Sequence, residues 1–487
     1  MVVRVLVRVR VRLRVRDGGH RYEVGGMVIR FLSLGDLIGM RSKSACVRVP
    51  SVAREFEKVR LPDQRLRKRL RIVADSLCVA PDRGFPRLAG SDGQLEGMYR
   101  FFNNARVSAQ ALMEGHFEQT SLRARPAGTV LVVHDTTEME FKGESEREGL
   151  GFLRPQAQGF LLHAALCVAT DGTRRPLGVL GVKALVRKEL RPKRNAKRLS
   201  GPQYAQVKDK ESVRWAELVN ECERRSGAQV SMIHVMDREA DAYPLLSMMV
   251  EQRLRFVVRL ARDRVLSTEP DEPHQKLSEA LAYAEDVLEL DVPLSRRRGS
   301  TAPRARRAFA PRDSRIARLH VSATQVQLKR PRYLPELPES VSVHVVRAHE
   351  VDAPDGQQPV DWVLATTEPT DSHAGLLRVL EHYRGRWLIE EYFKALKTGC
   401  AFERRQLESY DALLRALALF LPVAWQLLLL RNLARTSPEA PATAVLEPIQ
   451  MGADRAASRC LGTGGDLGLI EFVSDGGRFE DRRQRLG

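Results

Sequence analysis

The sequence predicts an α/β fold: a mixed sheet carrying a β-rich insertion, preceded by a small all-helical unit. Three observations point to it. Capped, arginine-rich helical stretches come first. After the Pro126-Ala127-Gly128 break, short apolar β runs alternate with helical runs, the order expected of a mixed α/β sheet. Between about Arg262 and Val360 that order gives way to arginine, proline and short alternating strands.

Residues 1–50 open with MVVRVLVRVRVRLRVR, whose strict alternation would make a strand with one cationic face. Low complexity followed by Met27 and Met40 suggests a start placed too early, with a disordered basic arm as the alternative. Residues 51–120 read as an arginine-rich helical unit. DQRLRKRLRIVADSL starts after Asp63 as its N-cap, SDGQLEGMYRFFNN starts at Ser91 or Asp92, and SAQALMEGHFEQT starts at Ser108. Tyr99, Phe101 and Phe102 are its expected core, and its outward arginines suit phosphate contacts.

The α/β domain is expected over 125–435. TVLVVHDTT is an apolar β run ending at Asp135, and GFLLHAALCVAT and RPLGVLGVKALV form a hairpin about Asp171-Gly172. ESVRWAELVNECERR is a helix, QVSMIHVMDREADAY a strand ending in Asp237, and LRFVVRLAR another strand. The insertion spans 262–360, and the sheet resumes at VDWVLATTEP. Residues 436–487 thin to Ala, Gly and Pro with few core candidates.

Composition narrows the function. The chain has 487 residues, a net charge of +18 and a pI near 10, a field that favours a polyanion such as nucleic acid. Its six cysteines, Cys46, Cys78, Cys167, Cys222, Cys400 and Cys460, include no C-x-x-C pair. Zinc ligation and a disulfide framework are therefore not indicated, and a reducing cytoplasm is the natural compartment. The most apolar stretch, DALLRALALFLPVAWQLLLLRNLAR, holds Arg415, Pro422 and Gln426, so it reads as a buried core helix rather than a membrane span.

The candidate chemistry centres on HYRGRWLIEEYFKALKTG, from His382 to Gly399. Placed on one helix at about 100° per residue, Tyr383, Arg386, Trp387, Glu390, Lys394 and Lys397 form one stripe, flanked by Ile389, Phe393 and Leu396. The plainer reading is an exposed face of i,i+4 ion pairs. Asp135 and Asp237 each end a strand, where α/β sheets tend to present ligand-binding groups. With Glu390 they make three hard oxygen donors, suited to a pair of Mg²⁺ ions and to in-line phosphoryl displacement. Each acid also has a structural alternative: strand-end Asp residues cap the next helix, and Glu390 can pair with Arg386 or Lys394. Glu239 and Asp241 compete with Asp237 for the ligand role.

These residues resemble a family. Tyr383, Arg386, Glu390 and Lys397 spell Y-x2-R-x3-E-x6-K, similar to the YREK signature of cut-and-paste DDE insertion-sequence transposases. HDTTEMEF and MDREADAY look like the first two acids of that group. The best match is the insertion-sequence-four family, with its transposon-five branch, over about Arg54 to Leu433. The resemblance implies a ribonuclease-H-like catalytic core over 125–435 and an N-terminal domain that grips terminal inverted repeats. It implies Asp135, Asp237 and Glu390 as holders of Mg²⁺, or Mn²⁺ in its place. Tyr383, Arg386 and Lys397 would contact phosphates of double-stranded DNA, with Lys394 beside them. Trp387 and Trp362 would handle a flipped base. The function implied is metal-dependent cleavage and strand transfer at transposon ends by a homodimer, in a bacterial cytoplasm, at the nucleoid. Phe393 departs from the pattern, standing where the transposon-five branch has a histidine. The tail departs too: MGADRAASRCLGTGGDLGLIEFVSDGG replaces the expected dimerisation helices, so an end-binding, assembly-defective inhibitor is the alternative.

Overall fold

The computed structural model describes residues 7–8, 49–143, 145–187, 213–267, 275–294, 296, 311–437 and 440. They fall into two compact units. The first holds described residues from 49–187, 213–233 and 385–440, and the second holds 7–8 and 234–384.

The first unit begins with the helices read from the sequence: α1 (Gln64–Val79), α2 (Asp92–Asn103) and α3 (Ala109–Ala124). Their caps are Asp63, Ser91 and Ser108, each accepting a backbone N–H in the first turn, at 2.8, 3.3 and 3.2 Å. Such caps satisfy N–H groups that the helix itself leaves unpaired. Leu70, Val73, Ala74 and Leu77 bury one face of α1, and Met98, Phe101 and Phe102 one face of α2. Tyr99 is only half-buried, edge-on to Phe85 at 5.9 Å, so it borders the core expected to contain it.

Four strands follow: β1 (Thr129–Phe141), β2 (Gly151–Arg154), β3 (Ala157–Ala169) and β4 (Pro176–Leu185). All pairings are antiparallel, with β1 on one edge of β3 and β2 and β4 on the other. The hairpin turns at Gly172, whose φ of +84° favours glycine. One expectation fails here. β1 does not end at Asp135 but runs on to Phe141, pairing Asp135 with Ala164 in mid-strand. The apolar run stops at the acid, yet period-two alternation continues, with Met139 and Phe141 buried and Glu138 and Glu140 half-buried. Helix α4 (Val213–Ser226) then buries Trp215, Leu218, Val219 and Cys222. Strand β5 (Ser231–Met236) leads into the second unit.

That unit comprises α5 (Tyr243–Glu251), β6 (Arg255–Arg259), α6 (Leu277–Tyr283), β7 (Asp286–Leu294), β8 (Arg315–Lys329), β9 (Ser340–Glu350), β10 (Asp361–Thr366) and α7 (His373–Arg384). Its strands pair antiparallel in the order β7-β8-β9-β10-β6. The segment 262–360 is β-rich, as the sequence suggests, and its strands continue through β10 onto β6. Val7–Arg8 pairs with Leu290 and Glu289 on the outer edge of β7. The remainder of the Val/Arg stretch, and the tail from residue 441, lie outside the described residues.

The chain returns to the first unit with α8 (Trp387–Lys394), a π-helical turn at Ala395–Gly399 and α9 (Tyr410–Thr436). Among the described helices α9 alone is long and apolar enough to cross a membrane, and most of it is buried inside this unit. Its buried polar side chains reach backbone groups. Arg415 donates to the carbonyls of Val107 (2.7 Å) and Phe102 (3.1 Å), Trp425 to that of Pro176 (2.9 Å), and Gln426 to that of Pro50.

A buried charge network joins these layers. Glu55 accepts from Arg123 at 2.6 Å and pairs with His116 Nδ1 at 2.6 Å. His116 Nε2 accepts the Val179 N–H at 3.1 Å, so Nδ1 carries the ring's proton and the imidazole is neutral. Burial pushes His116 below its usual range and outweighs the pull of Glu55. Burial opposes ionisation of Glu55, but His116 and Arg123 together hold its carboxyl below the usual range. Both depressed groups stabilise the fold above their unfolded pKa values, and that stability is lost as pH falls. Urea-unfolding midpoints are therefore expected to be level above pH 7. They should fall as pH drops below 6.5, the ordinary histidine value, as the unfolding free energy declines by up to about 1.4 kcal/mol per pH unit for this one proton. A midpoint unchanged down to pH 5 would show that His116 charges without penalty.

Candidate active site

Asp135 and Glu390 lie 255 residues apart in the chain, and the first unit brings them to one arginine. Arg386 donates from Nη1 to Asp135 Oδ2 at 3.3 Å and from Nη2 to Glu390 Oε1 at 2.5 Å. Its guanidinium also lies over the Trp387 ring, 5.1 Å from the centroid. The second Asp135 oxygen accepts the Thr136 N–H at 2.7 Å. Arg386 is 11% exposed and Asp135 15%, whereas Glu390 is 42% exposed, so solvent reaches the bridge from the Glu390 side.

The local sequence explains this geometry and corrects the single-helix stripe. α7 stops at Arg384 and α8 starts at Trp387, with Gly385 and Arg386 in a turn between them. Glycine disfavours a helix interior. Three-residue bonds take over, from Leu388 N to Gly385 O (3.1 Å) and from Ile389 N to Arg386 O (3.3 Å). Farther on, Cys400 N reaches back five residues to Ala395 O at 2.7 Å, the π-type bond that widens the turn carrying Lys397. Lys397 Nζ donates to the Glu138 carbonyl and stands 3.5 Å from Glu403. Lys394 is exposed at the end of α8, and Trp387 is 60% exposed. Phe393 is buried core, which accounts for an apolar residue at that position.

The remaining expected residues belong to the second unit. Tyr383 is buried in α7, and its ring meets that of Trp362 edge-on at 5.5 Å. Asp237 follows β5, half-buried, and accepts the Glu239 N–H at 2.9 Å as cap of the short turn Arg238–Ala240. Asp241, a rival from sequence, is committed elsewhere. It is 3% exposed, bonded to Arg264 and to the backbone N–H groups of Ala261 (2.8 Å) and Arg262 (2.9 Å). Among the described residues no three His, Cys, Asp or Glu side chains converge as a metal site. Two of the three expected acids thus stand together, about a cation.

Sequence reading missed what lies beside Asp135. Arg214 Nε donates to Thr136 Oγ1 at 3.2 Å, and Thr136 Oγ1 meets His163 Nδ1 at 2.9 Å. His163 is fully buried, its ring 4.4 Å from that of Trp215. Burial, then the Arg214 charge, holds it well below the usual imidazole range, so it is neutral. The available signal was the VRW triplet in the ESVRWAELV helix, which delivers both Arg214 and Trp215.

Residues 50–107 match the family model described as Transposase DNA-binding, and residues 203–421 match that described as Transposase DDE domain. Asp237, Arg386, Glu390, Lys394 and Lys397 fall inside the second match, and Asp135 lies between the two. A solved synaptic complex of the piggyBac transposase with hairpin DNA aligns over 89% of this chain and 82% of that one, at 9% identity and a TM-score of 0.36. The two family matches, on a mixed α/β fold with an N-terminal helical region, define a DNA-binding enzyme of the DDE class. The chain is a DNA transposase, an enzyme that cuts DNA and transfers strands.

Asp237 and Asp241 are expected to separate in stability. Asp241→Ala strands buried Arg264 and should cost about 3–5 kcal/mol, whereas Asp237→Ala removes a cap and should cost about 0.5–2 kcal/mol. Thermal and urea melts of the two variants measure the difference.

Proposed function

We propose that this transposase acts on the terminal inverted repeats of an insertion sequence of the insertion-sequence-four type, through a YREK arrangement of Tyr383, Arg386, Glu390 and Lys397. The observation that carries the reading is the meeting of Asp135 and Glu390 at the Arg386 guanidinium. Two carboxylates far apart in sequence, drawn onto one cation at a part-exposed surface, are the donor set a hard divalent ion requires: oxygen atoms with surplus negative charge. Asp135, Glu390 and Asp237 are the proposed holders of Mg²⁺. A divalent ion there supplies charge stabilisation for the attacking and leaving oxygens of phosphodiester displacement.

The chain's own residues do the rest. Arg386 presents a planar, permanently charged fork that matches a phosphate. Lys394 and Lys397 add point charges on the turns after it. Trp387, with most of its ring exposed beside Arg386, offers a stacking face for an unpaired base, and Trp362 is the second aromatic proposed for that role. The arginine-rich helices within 51–120 grip duplex DNA. Two copies of the chain, each bound to one end, form the proposed active complex.

Asp135→Ala, Asp237→Ala and Glu390→Ala are each expected to abolish cleavage in Mg²⁺ while end binding persists, because metal ligation and phosphate grip are separate functions. Near-normal cleavage by any one of them would remove that acid from the ligand set. Arg386→Ala and Lys397→Ala should each reduce the slope of log K against log salt by about 0.9 for every phosphate left without its cation. Trp387→Ala and Trp362→Ala should keep the slope and slow cleavage, with partial rescue by a pre-unpaired base. Unchanged slopes in both basic variants would return this segment to an ordinary ion-paired surface.

A further inference from the structure

We propose that Arg386 gates metal loading: its guanidinium serves as the resident cation of the Asp135–Glu390 pair and yields that place when a DNA phosphate takes it. The inference rests on the reading that these two acids are metal ligands, and it adds when they become available. One nitrogen of the guanidinium goes to each carboxylate, at 3.3 and 2.5 Å. The fork therefore spans the same two groups that a divalent ion would have to join.

Two features make this an exchange. Arginine stays protonated at any physiological pH, so Arg386 cannot leave the carboxylates by losing its charge. It leaves only for another anion, and phosphate offers the same two-pronged geometry. The bridge is also shallow. Glu390 is 42% exposed and the guanidinium rests on the largely exposed Trp387 ring, so a phosphate can approach from the solvent side. A divalent ion and the guanidinium compete for the same charge, and a phosphate removes the competitor. By linkage, whatever draws Arg386 away must tighten metal binding, and bound metal must tighten the grip of Arg386 on phosphate by the same factor. The carboxylates are thereby kept together, yet poorly receptive to metal, until DNA is in place.

The test reads Mn²⁺ binding to the full-length protein by electron paramagnetic resonance of the free ion, without DNA. Arg386→Gln should bind Mn²⁺ about fivefold or more tightly than the parent, the lower end of typical coupling between sites. Arg386→Lys keeps the charge but loses the fork, and should tighten binding to a lesser degree. A short blunt DNA duplex at low salt, with DNA-only binding subtracted, should tighten Mn²⁺ binding to the parent and leave Arg386→Gln unchanged. Equal affinity of the parent and both variants, or equal coupling to DNA in both backgrounds, overturns the gate. Asp135→Asn and Glu390→Gln provide the separate control. If they bind Mn²⁺ as the parent does, the ligand assignment itself fails. If they lose Mn²⁺ while Arg386→Gln gains nothing, the ligands stand and the gate falls. Circular dichroism melts establish that each variant is folded, and Arg386→Lys carries the comparison if Arg386→Gln is not.

Discussion

The first unit depends on a buried carboxylate that has to be answered. Glu55 is 1% exposed, and an ionised group at that depth is tolerated only when paired and hydrogen-bonded. Its partners define the architecture. His116 and Arg123 come from α3, and Arg123 goes on to donate to the Leu177 carbonyl of β4 at 2.6 Å and to lie over the Trp425 ring of α9 at 4.0 Å. A short turn, a helix, a strand and the central helix are thus held in one register by a single charge. Gly178 lets α3 approach that closely, since a Cβ there would stand 2.1 Å from Thr120 Oγ1.

That register carries the chemistry. Fixing β4 fixes β3, and β3 pairs residue by residue with β1, which brings Asp135 opposite Ala164. α9 packs against α8 and the π turn, and Tyr392 of α8 donates to the Leu421 carbonyl at 3.3 Å. Asp135 and Glu390 are therefore set by the same core from two sides. Both carboxylates reach Arg386 because their backbones are held there, and its guanidinium answers their negative charge. Behind Asp135, the Arg214–Thr136–His163 contacts close off the opposite side of β1 with a neutral imidazole.

Much was legible in the residues themselves. The caps Asp63, Ser91 and Ser108, the Asp171-Gly172 turn and the interior character of the 410–436 helix follow from local chemistry: side-chain oxygens reaching first-turn N–H groups, a glycine at positive φ, and apolar residues all round one helix. Basic charge favoured a nucleic-acid partner, and the family resemblance pointed to a DNA transposase of the DDE class, which the two family matches support.

Three features were decided only by the tertiary structure. The end of β1 depended on a partner, because its alternating second half becomes a strand through pairing with β3 and burial of Met139 and Phe141. The helix stops at Arg384, restarts at Trp387 and widens into a π turn at Ala395–Gly399, and a uniform 100° step carries no trace of either irregularity. The structural commitment of Asp241 came from Arg264, which claims that acid for the fold from 23 residues away. Local sequence determined which groups could form caps, turns and charged sites. Which of them meet was set by packing, since whether a charge is buried, paired or exposed depends on atoms distant in the chain.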